Sequence, residues 1–539
     1  MNTSSAKRWW GLVVISLGVS LIIVDSTIVN VAIPSIINDL GITSTQAQWV
    51  QEIYTLVFAA LLLIGGRLAD QYGRRRVFLL GTVVFAASSV LAAMAGSGEV
   101  LIAARALQGV GGAMMLPTSL SLLNANFRGR DRGIAFGIWG ATIGGTAALG
   151  PLLGGWLTTD FSWRWAFGIN IPLCLIVIGG LLALVPESAD PDARRGADVA
   201  GALLSAVGFG GIVFGLIEGR TYGWLTAAEP FTLGDWTWPW TVSVVAVAFL
   251  VGFAALAVFV LVERRRNRLG QVAMLDLSLF TISSFRNGNV AAAIVSLGEF
   301  GILFALPLWF QNVLGYTAFE TGVVLLALAG GSFLASGLGA VIGARRSAVF
   351  IVRLGIVLEI VGIAGLGLLL RPDSSWVLTA PLLLVYGIGV GFATAQLTGV
   401  VLADVPVSRS GQGSGTQSTA RQIGSALGIA ILGTVLFTSL AARYDSALAE
   451  LGVPSEQRTQ LVEVVKDTAG AAIPQLRADP RTAPAAEAAA EALTDATRYS
   501  ALTAAGFLVI GLAASLSLGR PVRRRDPAAP VTPVGAGPV

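Results

Sequence analysis

Long apolar stretches alternate with short polar or charged segments along most of the chain. A run of about 20 apolar residues is long enough to cross a bilayer as a helix. The pattern predicts fourteen such helices, numbered here as segments 1 to 14 in chain order. Their approximate bounds are 11–33, 47–66, 77–96, 99–121, 134–157, 165–185, 198–218, 239–262, 285–310, 322–343, 349–370, 378–402, 413–438 and 499–518. We therefore expect an all-α integral membrane protein.

Basic residues are distributed unevenly between the two sets of connecting segments. With a cytoplasmic N-terminus, twenty-four Lys and Arg residues fall in cytoplasmic segments, and only Arg164, Arg220 and Arg371 fall in short external loops. An excess of Lys and Arg marks the cytoplasmic side of a membrane protein. Because the predicted number of helices is even, both termini are expected in the cytoplasm.

One external loop, residues 440–498, is much longer than the others. Its composition predicts helices from Ser455 to Asp467 and from Pro484 to Thr497. The loop is interpreted either as a solvated cap or as a gate over the substrate exit. The Pro- and Ala-rich cytoplasmic tail at 521–539 is expected to be disordered.

Composition agrees with a membrane protein and narrows its chemistry. Hydrophobic residues make up 54% of the 539 positions and charged residues 12%, whereas soluble domains carry about 25% charged residues. There is no histidine, and Cys174 is the single cysteine, so metal sites built on His and an intramolecular disulfide are excluded. Neither Lys7 nor Lys466 stands in a phosphate-binding loop motif. We expect no metal, no cofactor and no enzymatic activity.

Residues 66–77, GRLADQYGRRRV, fall in the loop between segments 2 and 3. Two glycines permit a tight reversal, and the aspartate can pair with neighbouring arginines or with a helix N-terminus. The spacing resembles the GxLaDrxGrr loop of the major facilitator superfamily. The resemblance implies a conformational latch between two halves of the molecule, formed by Gly66, Asp70, Gly73, Arg74 and Arg75.

Residues 140–155, GATIGGTAALGPLLGG, fall in segment 5. Gly and Pro at this density let a helix bend and pack closely on a neighbour. Gly150, Pro151, Gly154 and Gly155 match the GPxxGG core of the antiporter motif of the same superfamily, whose bearers are typically exporters. Ordinary packing of small residues is the alternative interpretation.

Three more stretches resemble the fourteen-helix drug–proton antiporter family of that superfamily: 24–34, 163–172 and 413–434. The resemblance implies two six-helix bundles, at 1–190 and 285–520, with two inserted helices and their linkers at 191–284. Segments 1, 4, 9 and 12 would line the cavity between the bundles. The loop after segment 10, GARRSAVFIVR, lacks the aspartate of the first-half loop, so any latch there is expected to be weaker or differently built.

Ionisable residues inside the predicted helices are functional candidates, because a charge in the hydrocarbon core is costly. Arg105 stands in a stretch that resembles the RxxQG motif of the superfamily, and its guanidinium must find a carboxylate or carbonyl groups. Asp25 is its first expected partner and Glu52 its second. We predict a proton-coupling role for Arg105, Asp25, Glu52 and Glu299. The alternative for Asp25 and Arg105 is a permanent ion pair that braces segments 1 and 4. The alternative for Glu52 is a structural role in interhelical hydrogen bonding.

The remaining candidates lie in segments 9 to 13. Glu299 has no basic residue near it in sequence, which suits it to exchange protons or attract a cationic substrate. Glu359 is flanked by Gly355 and Gly362, which favours close helix packing, and structural pairing is slightly favoured for Arg421. An aromatic ring can stack on a cationic ligand. The predicted substrate cavity comprises Asp25, Glu299, Ser296, Phe300, Tyr386 and Gln396.

The sequence therefore predicts a proton-coupled exporter of lipophilic or cationic small molecules that works by alternating access. Its partners would be small-molecule substrates, protons and membrane lipids, without nucleic acid, and it would act as a monomer in the cytoplasmic membrane of a bacterium. Two alternatives remain open within transport: a dedicated exporter of one metabolite (an antibiotic, an amino acid or a lipid) and an uptake symporter. A transport-inactive sensor or scaffold is the alternative from another class.

Overall fold

The described chain folds almost wholly into α-helices. The structure, a computed structural model, describes residues 5–42, 44–147, 149–189, 198–233, 236–343 and 345–518, and the tail predicted to be disordered lies outside them. The helices are α1 (Ser5–Leu40), α2 (Ser44–Tyr72), α3 (Arg74–Ala93), α4 (Gly98–Asn126), α5 (Gly129–Ala147), α6 (Leu149–Asp160), α7 (Trp165–Gly168), α8 (Asn170–Leu184), α9 (Val199–Tyr222), α10 (Val244–Arg268), α11 (Ser283–Asn312), α12 (Ala318–Gly343), α13 (Ala348–Leu369), α14 (Trp376–Val401), α15 (Ser410–Glu450), α16 (Ser455–Asp467), α17 (Ile473–Ala478) and α18 (Ala483–Ser515).

Among the described residues, eleven helices are long and apolar enough to cross a membrane. The chain is thus an all-helical membrane protein, as predicted, and the count of fourteen stays a prediction. A short antiparallel hairpin, β1 (Thr232–Leu233) and β2 (Trp236–Thr237), lies between α9 and α10. Two 3₁₀ turns, Leu277–Thr281 and Val407–Arg409, precede α11 and α15.

Polar residues set where several of these apolar helices begin. The side chain of Asp198 accepts a hydrogen bond from the Gly201 N–H at the start of α9, at 2.7 Å. Ser243 does the same for α10, and Ser347 for α13. Each of these caps satisfies a backbone N–H group that the first turn of a helix leaves without an intrahelical partner.

The long predicted loop is helical rather than irregular. Helix α15 continues to Glu450, and α18 begins at Ala483, so the two apolar helices extend past their predicted ends. The helix predicted from Ser455 to Asp467 is confirmed as α16, and the one predicted from Pro484 to Thr497 is part of α18. We call the end of the molecule with residues 451–482 the cap end and the end with residues 66–77 the latch end.

The helices pack as two groups with a pair between them. Apart from α5, helices α1 to α8 contact mainly one another, as do α11 to α15 with α18, and α9 pairs with α10. Contacts between the groups run from α2 and α4 to α15 and from α5 to α12 and α14. Helix α9 packs on both α2 and α15, at the seam between the groups. The predicted division at residues 190 and 285 stays a prediction.

Glycines bring α15 into backbone contact with α11. A Cβ atom at Gly424 would lie 2.1 Å from the Ala293 carbonyl oxygen, and one at Gly428 would lie 2.2 Å from that of Leu297. Both distances are far below van der Waals contact, so the spacing of four residues places two small residues on one helix face. This explains why glycine stands at positions 424 and 428.

We expect Gly428→Ala to lower the thermal unfolding midpoint of the purified protein in detergent by several degrees. The added methyl group forces α15 away from α11, and overpacking costs about 1–3 kcal/mol. Gly506→Ala is the matched control, since nothing lies within 4 Å of a Cβ built there. Equal midpoints for the two variants would contradict the close packing described here.

Candidate functional site

Asp25 of α1 lies at the centre of a fully buried polar cluster. Its carboxylate forms an ion pair with the Arg105 guanidinium of α4. Its Oδ1 atom accepts hydrogen bonds from the Asn170 amide at 2.7 Å and from the Gln108 amide at 3.1 Å. Those two amides also donate to the Ser89 hydroxyl of α3. Four helices therefore meet at this carboxylate, and the expected pairing of Arg105 with Asp25 is present.

Arg105 has partners on each of its accessible sides. Its Nε donates to the Val50 carbonyl at 3.1 Å, and its Nη1 donates to the Gln108 amide oxygen at 2.8 Å. The guanidinium carbon lies 4.4 Å from the centre of the Tyr54 ring, within range of a cation–π interaction. Removing the Asp25 charge alone would leave this cation buried without a counter-ion.

The stretch 163–172 attaches to α1 at two places. Trp163 and Arg164 donate to the Asp39 carboxylate near the end of α1, at 3.0 and 2.6 Å, while Asn170 reaches Asp25. The hydrogen bonds from Arg164 and Trp163 lower the pKa of Asp39. The contact therefore persists at neutral pH and weakens only in acid.

A second buried carboxylate, Glu299 of α11, lies in the other helix group. Thr394 of α14 donates to its Oε1 at 2.9 Å, and Arg421 of α15 lies 3.5 Å from its Oε2. The Tyr386 hydroxyl donates to the Glu299 backbone carbonyl at 3.1 Å. The sequence showed no basic neighbour for Glu299 because Arg421 lies more than a hundred residues away, yet α11 and α15 pack side by side.

Glu359 of α13 is completely buried, and neither of its carboxyl oxygens has a hydrogen-bond partner among the described residues. The close packing predicted for it is present, since a Cβ at Gly389 of α14 would lie 2.6 Å from the Glu359 backbone nitrogen. Glu299 and Arg421 are near enough to act on it electrostatically. An ionised carboxylate without partners is too costly in such a place, so Glu359 fits this packing in its neutral form.

Asp70 ties the two helix groups together at the latch end. Its oxygens accept hydrogen bonds from the backbone N–H groups of Gly411 and Gln412, at 2.8 and 2.9 Å, in the first turn of α15. Arg74 donates to Asp70 at 3.0 Å and also to the Val407 carbonyl. A carboxylate at a helix N-terminus is stabilised by free N–H groups and the helix dipole. Asp70 uses both of the partners that the sequence predicted.

The glycines of the latch are required by close contacts. A Cβ at Gly66 would lie 2.2 Å from the Gly411 carbonyl oxygen, so α2 and α15 touch through their backbones. Gly73 has φ of 106°, which favours glycine, and a Cβ there would meet the Glu187 carboxylate at 2.8 Å. That carboxylate accepts the backbone N–H groups of Arg75 and Arg76 and so caps α3.

Other contacts between the groups surround Asp70. The Asn124 amide donates to the Ser410 hydroxyl at 2.5 Å, and the Ser414 hydroxyl donates to the Pro117 carbonyl at 2.7 Å. Arg132 of α5 donates to the Gly399 carbonyl near the end of α14 at 3.1 Å. Together with the Asp70 contacts, these bonds close the latch end of the molecule in this conformation.

The loop after α12 is built differently. Arg345 and Arg346 are exposed, and Arg353 donates to the carbonyl groups of Ser515 and Leu518, both at 3.2 Å, at the end of α18. Those partners belong to the same helix group. Within the described residues, this loop therefore braces one group and does not repeat the Asp70 contact.

The antiporter-like stretch packs against α1 beside Asp25. A Cβ at Gly150 would lie 1.8 Å from the Thr27 hydroxyl, and one at Gly154 would lie 2.9 Å from the Ile28 carbonyl oxygen. Gly155 has nothing within 4 Å of such a Cβ, and the Pro151 side chain lies outside the described part of the structure. Two of the four motif residues thus place α6 directly on the turn of α1 that follows Asp25.

The side chains predicted to line the substrate cavity do not face an open cavity in this conformation. Asp25, Glu299, Ser296, Tyr386 and Gln396 are all buried, and the Phe300 side chain lies outside the described residues. Gln396 instead donates to the Gly133 carbonyl of α5 at 3.3 Å, a contact between the two groups. Closure of the latch end explains this burial.

A cavity of about 870 Å³ lies towards the cap end instead. Its walls come from α1, α2, α9 and α15, and α16 contributes Glu463 and Lys466. Glu52 lines it, so the second expected partner of Arg105 faces a different place from the Asp25 cluster. Cavities of roughly 300–1,000 Å³ are typical of sites for drug-sized molecules.

Several hydrogen-bond partners of the site residues were not predicted from the sequence. Asn170 lies in the stretch 163–172, and Gln108 is the glutamine of the RxxQG-like motif, so both could have been found from those motifs. Glu218 of α9, which hydrogen-bonds with Glu52, and Glu187, which caps α3, carry no motif signal. Only the packing of distant helices reveals their partners.

The sequence matches the profile of the Major Facilitator Superfamily over residues 15–206 and 180–429. It is 35% identical to a protein of Streptomyces coelicolor named as a probable actinorhodin transporter, over 85% of this chain and 77% of that one. It is 34% identical to the multidrug resistance protein Stp of Mycobacterium tuberculosis, over 85% and 81%. It is also 34% identical to the multidrug efflux pump LfrA of Mycolicibacterium smegmatis, over 86% and 88%.

The fold also matches solved structures. The human organic anion transporter MFSD10 superposes with a TM-score of 0.59 at 13% identity, over 94% of this chain and 99% of that chain. A bacterial homologue of the lysosomal transporter Spinster, in an inward-facing conformation, gives a TM-score of 0.52 at 18% identity, over 96% and 98%. At these identities the likeness concerns the fold alone.

We expect Asp70→Asn to loosen the start of α15. The amide offers one acceptor oxygen in place of two and no charge, and a hydrogen bond to a charged group contributes about 1.5–3 kcal/mol. Hydrogen–deuterium exchange of the Gly411 and Gln412 amides should therefore accelerate by about tenfold or more.

Glu187→Gln is the matched control for this measurement. It also removes a carboxylate that caps a helix at the latch end, but within one helix group. Its exchange at Gly411 and Gln412 should equal that of the unmodified protein. If these two amides exchanged in Asp70→Asn at the same rate as in the unmodified protein, Asp70 would not hold the latch end closed.

Proposed function

The chain belongs to the major facilitator superfamily and to its drug-exporting type, and from this premise we propose that it is a proton-coupled antiporter of lipophilic or cationic small molecules. The observation that carries the proposal is the pair of buried carboxylate–arginine contacts, Asp25 with Arg105 and Glu299 with Arg421. One lies in each helix group. A carboxylate is the group that remains for proton exchange in a chain without histidine.

We infer fourteen membrane-spanning helices with both termini in the cytoplasm. Besides the eleven long apolar helices, three further parts of the chain complete the set: α5 together with α6, α11, and α12. Most basic residues of the connecting segments belong to the latch end, which is then cytoplasmic. The cap end is external, and the protein is a multi-pass protein of a bacterial cytoplasmic membrane that acts as a monomer.

In this orientation the conformation is closed towards the cytoplasm and has its cavity towards the outside. Alternating access requires the opposite state as well, in which the latch opens and the cap end closes. Asp70 and Gly66 would hold the present state, and their contacts with α15 would break in the other. The backbone contacts of Gly150 and Gly154 with α1 couple that movement to the turn beside Asp25.

Proton exchange at the buried carboxylates would drive export. Each carboxylate forms an ion pair with an arginine, and a cationic substrate or a proton can take over that neutralising role when the helices part. A membrane potential of about 150 mV supplies about 3.5 kcal/mol per charge moved, enough for a gradient of roughly 300-fold. No cofactor is needed for such a cycle.

A dedicated exporter of a single metabolite is the second candidate. One relative is named as a probable actinorhodin transporter and another as a tetracenomycin C resistance and export protein, whereas Stp and LfrA are named for multidrug resistance and efflux. A broad set of transported cations supports the multidrug proposal. A single transported compound supports the dedicated exporter.

Substrate-evoked proton movement in inside-out vesicles tests the proposal. With the vesicle interior acidic, addition of ethidium should release protons from the interior, reported by a pH-sensitive dye. Glu299→Gln and the paired change Asp25→Asn with Arg105→Gln should abolish the response, because an amide cannot exchange a proton. The paired change removes both charges, so it avoids leaving Arg105 buried alone.

Glu450→Gln is the control, since this carboxylate is exposed at the cap end; it should respond like the unmodified protein. A normal response in both carboxylate variants would exclude these sites as proton carriers. No response of the folded, unmodified protein to any of several cations would contradict the multidrug proposal.

A further inference from the structure

Two carboxyl groups from different helix groups meet beside the cavity at the cap end. Glu52 lies in the outer third of α2, and Glu218 lies near the end of α9, one of the two inserted helices. The two side chains are within hydrogen-bonding distance of each other. Glu218 is 1% exposed, whereas Glu52 is part-exposed and lines the cavity.

The contact between the two carboxyl groups requires a shared proton. A carboxylate only accepts hydrogen bonds, so two of them can bond to each other only if one carries a proton. Like charges at this distance in a poorly solvated place cannot both remain ionised, and their protons titrate as a pair. No described donor reaches Oε2 of Glu218. The pair therefore holds one shared proton in this conformation.

The surrounding cavity suits an amphipathic cation. Apolar side chains of α9 and α15 form part of its wall, among them Leu216, Ile217, Ile429 and Phe437. Polar groups of α1, α2 and α15 form the rest, among them Ser26, Gln51, Thr55, Gln422 and Ser425. An apolar wall with a few polar groups and an acidic pair is the arrangement that binds a lipophilic cation.

Other charged groups face the same space and leave it acidic. Glu229 and Glu463 line the cavity together with Arg220 and Lys466, and the Tyr222 hydroxyl also interacts with the pair. The Arg220 guanidinium lies 3.9 Å from the centre of the Phe437 ring of α15, so its charge is directed to that ring. With Glu52 and Glu218 included, carboxyl groups outnumber basic groups by four to two.

We propose that Glu52 and Glu218 form a second cation site of the transport cycle, on the external side, where an entering proton displaces the cationic group of a departing substrate. The proposal rests on the proton-coupled export proposed above and adds a site to it. It gives the inserted helices a direct part in transport, because α9 supplies Glu218 and packs on both α2 and α15.

The exchange at this site is balanced in charge. When a substrate cation arrives from the cytoplasmic side, the shared proton leaves to the cytoplasm, and the two carboxylates then face one organic cation. When a proton returns, the cation is released outwards. Only the O–H bond of the shared proton breaks and re-forms, and the two carboxylates hold one cation in either state.

Proton release on ethidium binding tests the site in the purified full-length protein in lipid nanodiscs. In a weakly buffered solution, Glu52→Gln, Glu218→Gln and the double variant should each release about one proton fewer per bound ethidium than the unmodified protein. The double variant should match the single ones, because the two groups share one proton. Ethidium affinity at neutral pH should fall by about tenfold in the double variant, which removes both charges.

Glu229→Gln is the matched control, because it removes a carboxylate from the same cavity but not from the pair; its proton release should equal that of the unmodified protein. The proposal would be overturned if Glu218→Gln and Glu52→Gln released as many protons and bound ethidium as tightly as the unmodified protein. Absence of ethidium binding to the unmodified protein, or an equal loss in Glu229→Gln, would also overturn it.

The two proposals can fail separately. If the unmodified protein couples ethidium to proton movement in vesicles while Glu218→Gln and Glu52→Gln behave normally, the second site is excluded and proton-coupled export stands. If vesicles show no coupling at all, the export proposal fails first. Thermal unfolding of each variant verifies that a loss of proton release or of affinity is not caused by misfolding. Because Glu52 lies on α2 and Glu218 on α9, the two single variants test the site independently.

Discussion

A charge inside a bilayer must be neutralised by a partner on another helix, and this constraint organises the interior of the protein. Arg105 cannot lose its proton, so it holds Asp25 and, with Gln108 and Asn170, draws α1, α3, α4 and α8 together. Glu299 depends on Arg421 in the same way. Each pair stabilises one packing of helices and is therefore sensitive to any ligand that offers a different neutralising charge.

Close backbone packing links those pairs to the movement of whole helices. Gly150 and Gly154 place α6 on the turn of α1 next to Asp25, and Gly424 and Gly428 place α15 on α11 next to Glu299. The same α15 begins at the two N–H groups that Asp70 binds. A change in the neutralisation of either carboxylate is thus transmitted along rigid helices to the latch end, since packed backbones cannot deform gradually.

Hydropathy predicts the helices, whereas the latch and the Asp25–Arg105 pair were expected from stretches that resemble motifs of the major facilitator superfamily. Helix α16 was predicted to the residue, and the helix predicted from Pro484 to Thr497 is the first part of α18. The extension of α15 to Glu450 was not predicted, since this stretch at the cap end is not apolar enough to register as a membrane span. The partners of Glu299 and Glu52 could not be predicted, because Arg421 and Glu218 reach them only through helix packing. The substrate cavity was placed around residues that the closed latch buries, since a sequence carries no information on which conformation is populated.

The central claim is that a substrate cation and a proton replace each other at buried carboxyl groups. Infrared difference spectroscopy of the unmodified protein, recorded before and after ethidium binding, tests it most directly. When ethidium binds, the carbonyl stretch of a protonated carboxylic acid should be lost and the carboxylate bands should be gained. Ethidium binding with no change in the carboxylic acid region would contradict the claim, because the substrate would then occupy a site that no proton has to leave.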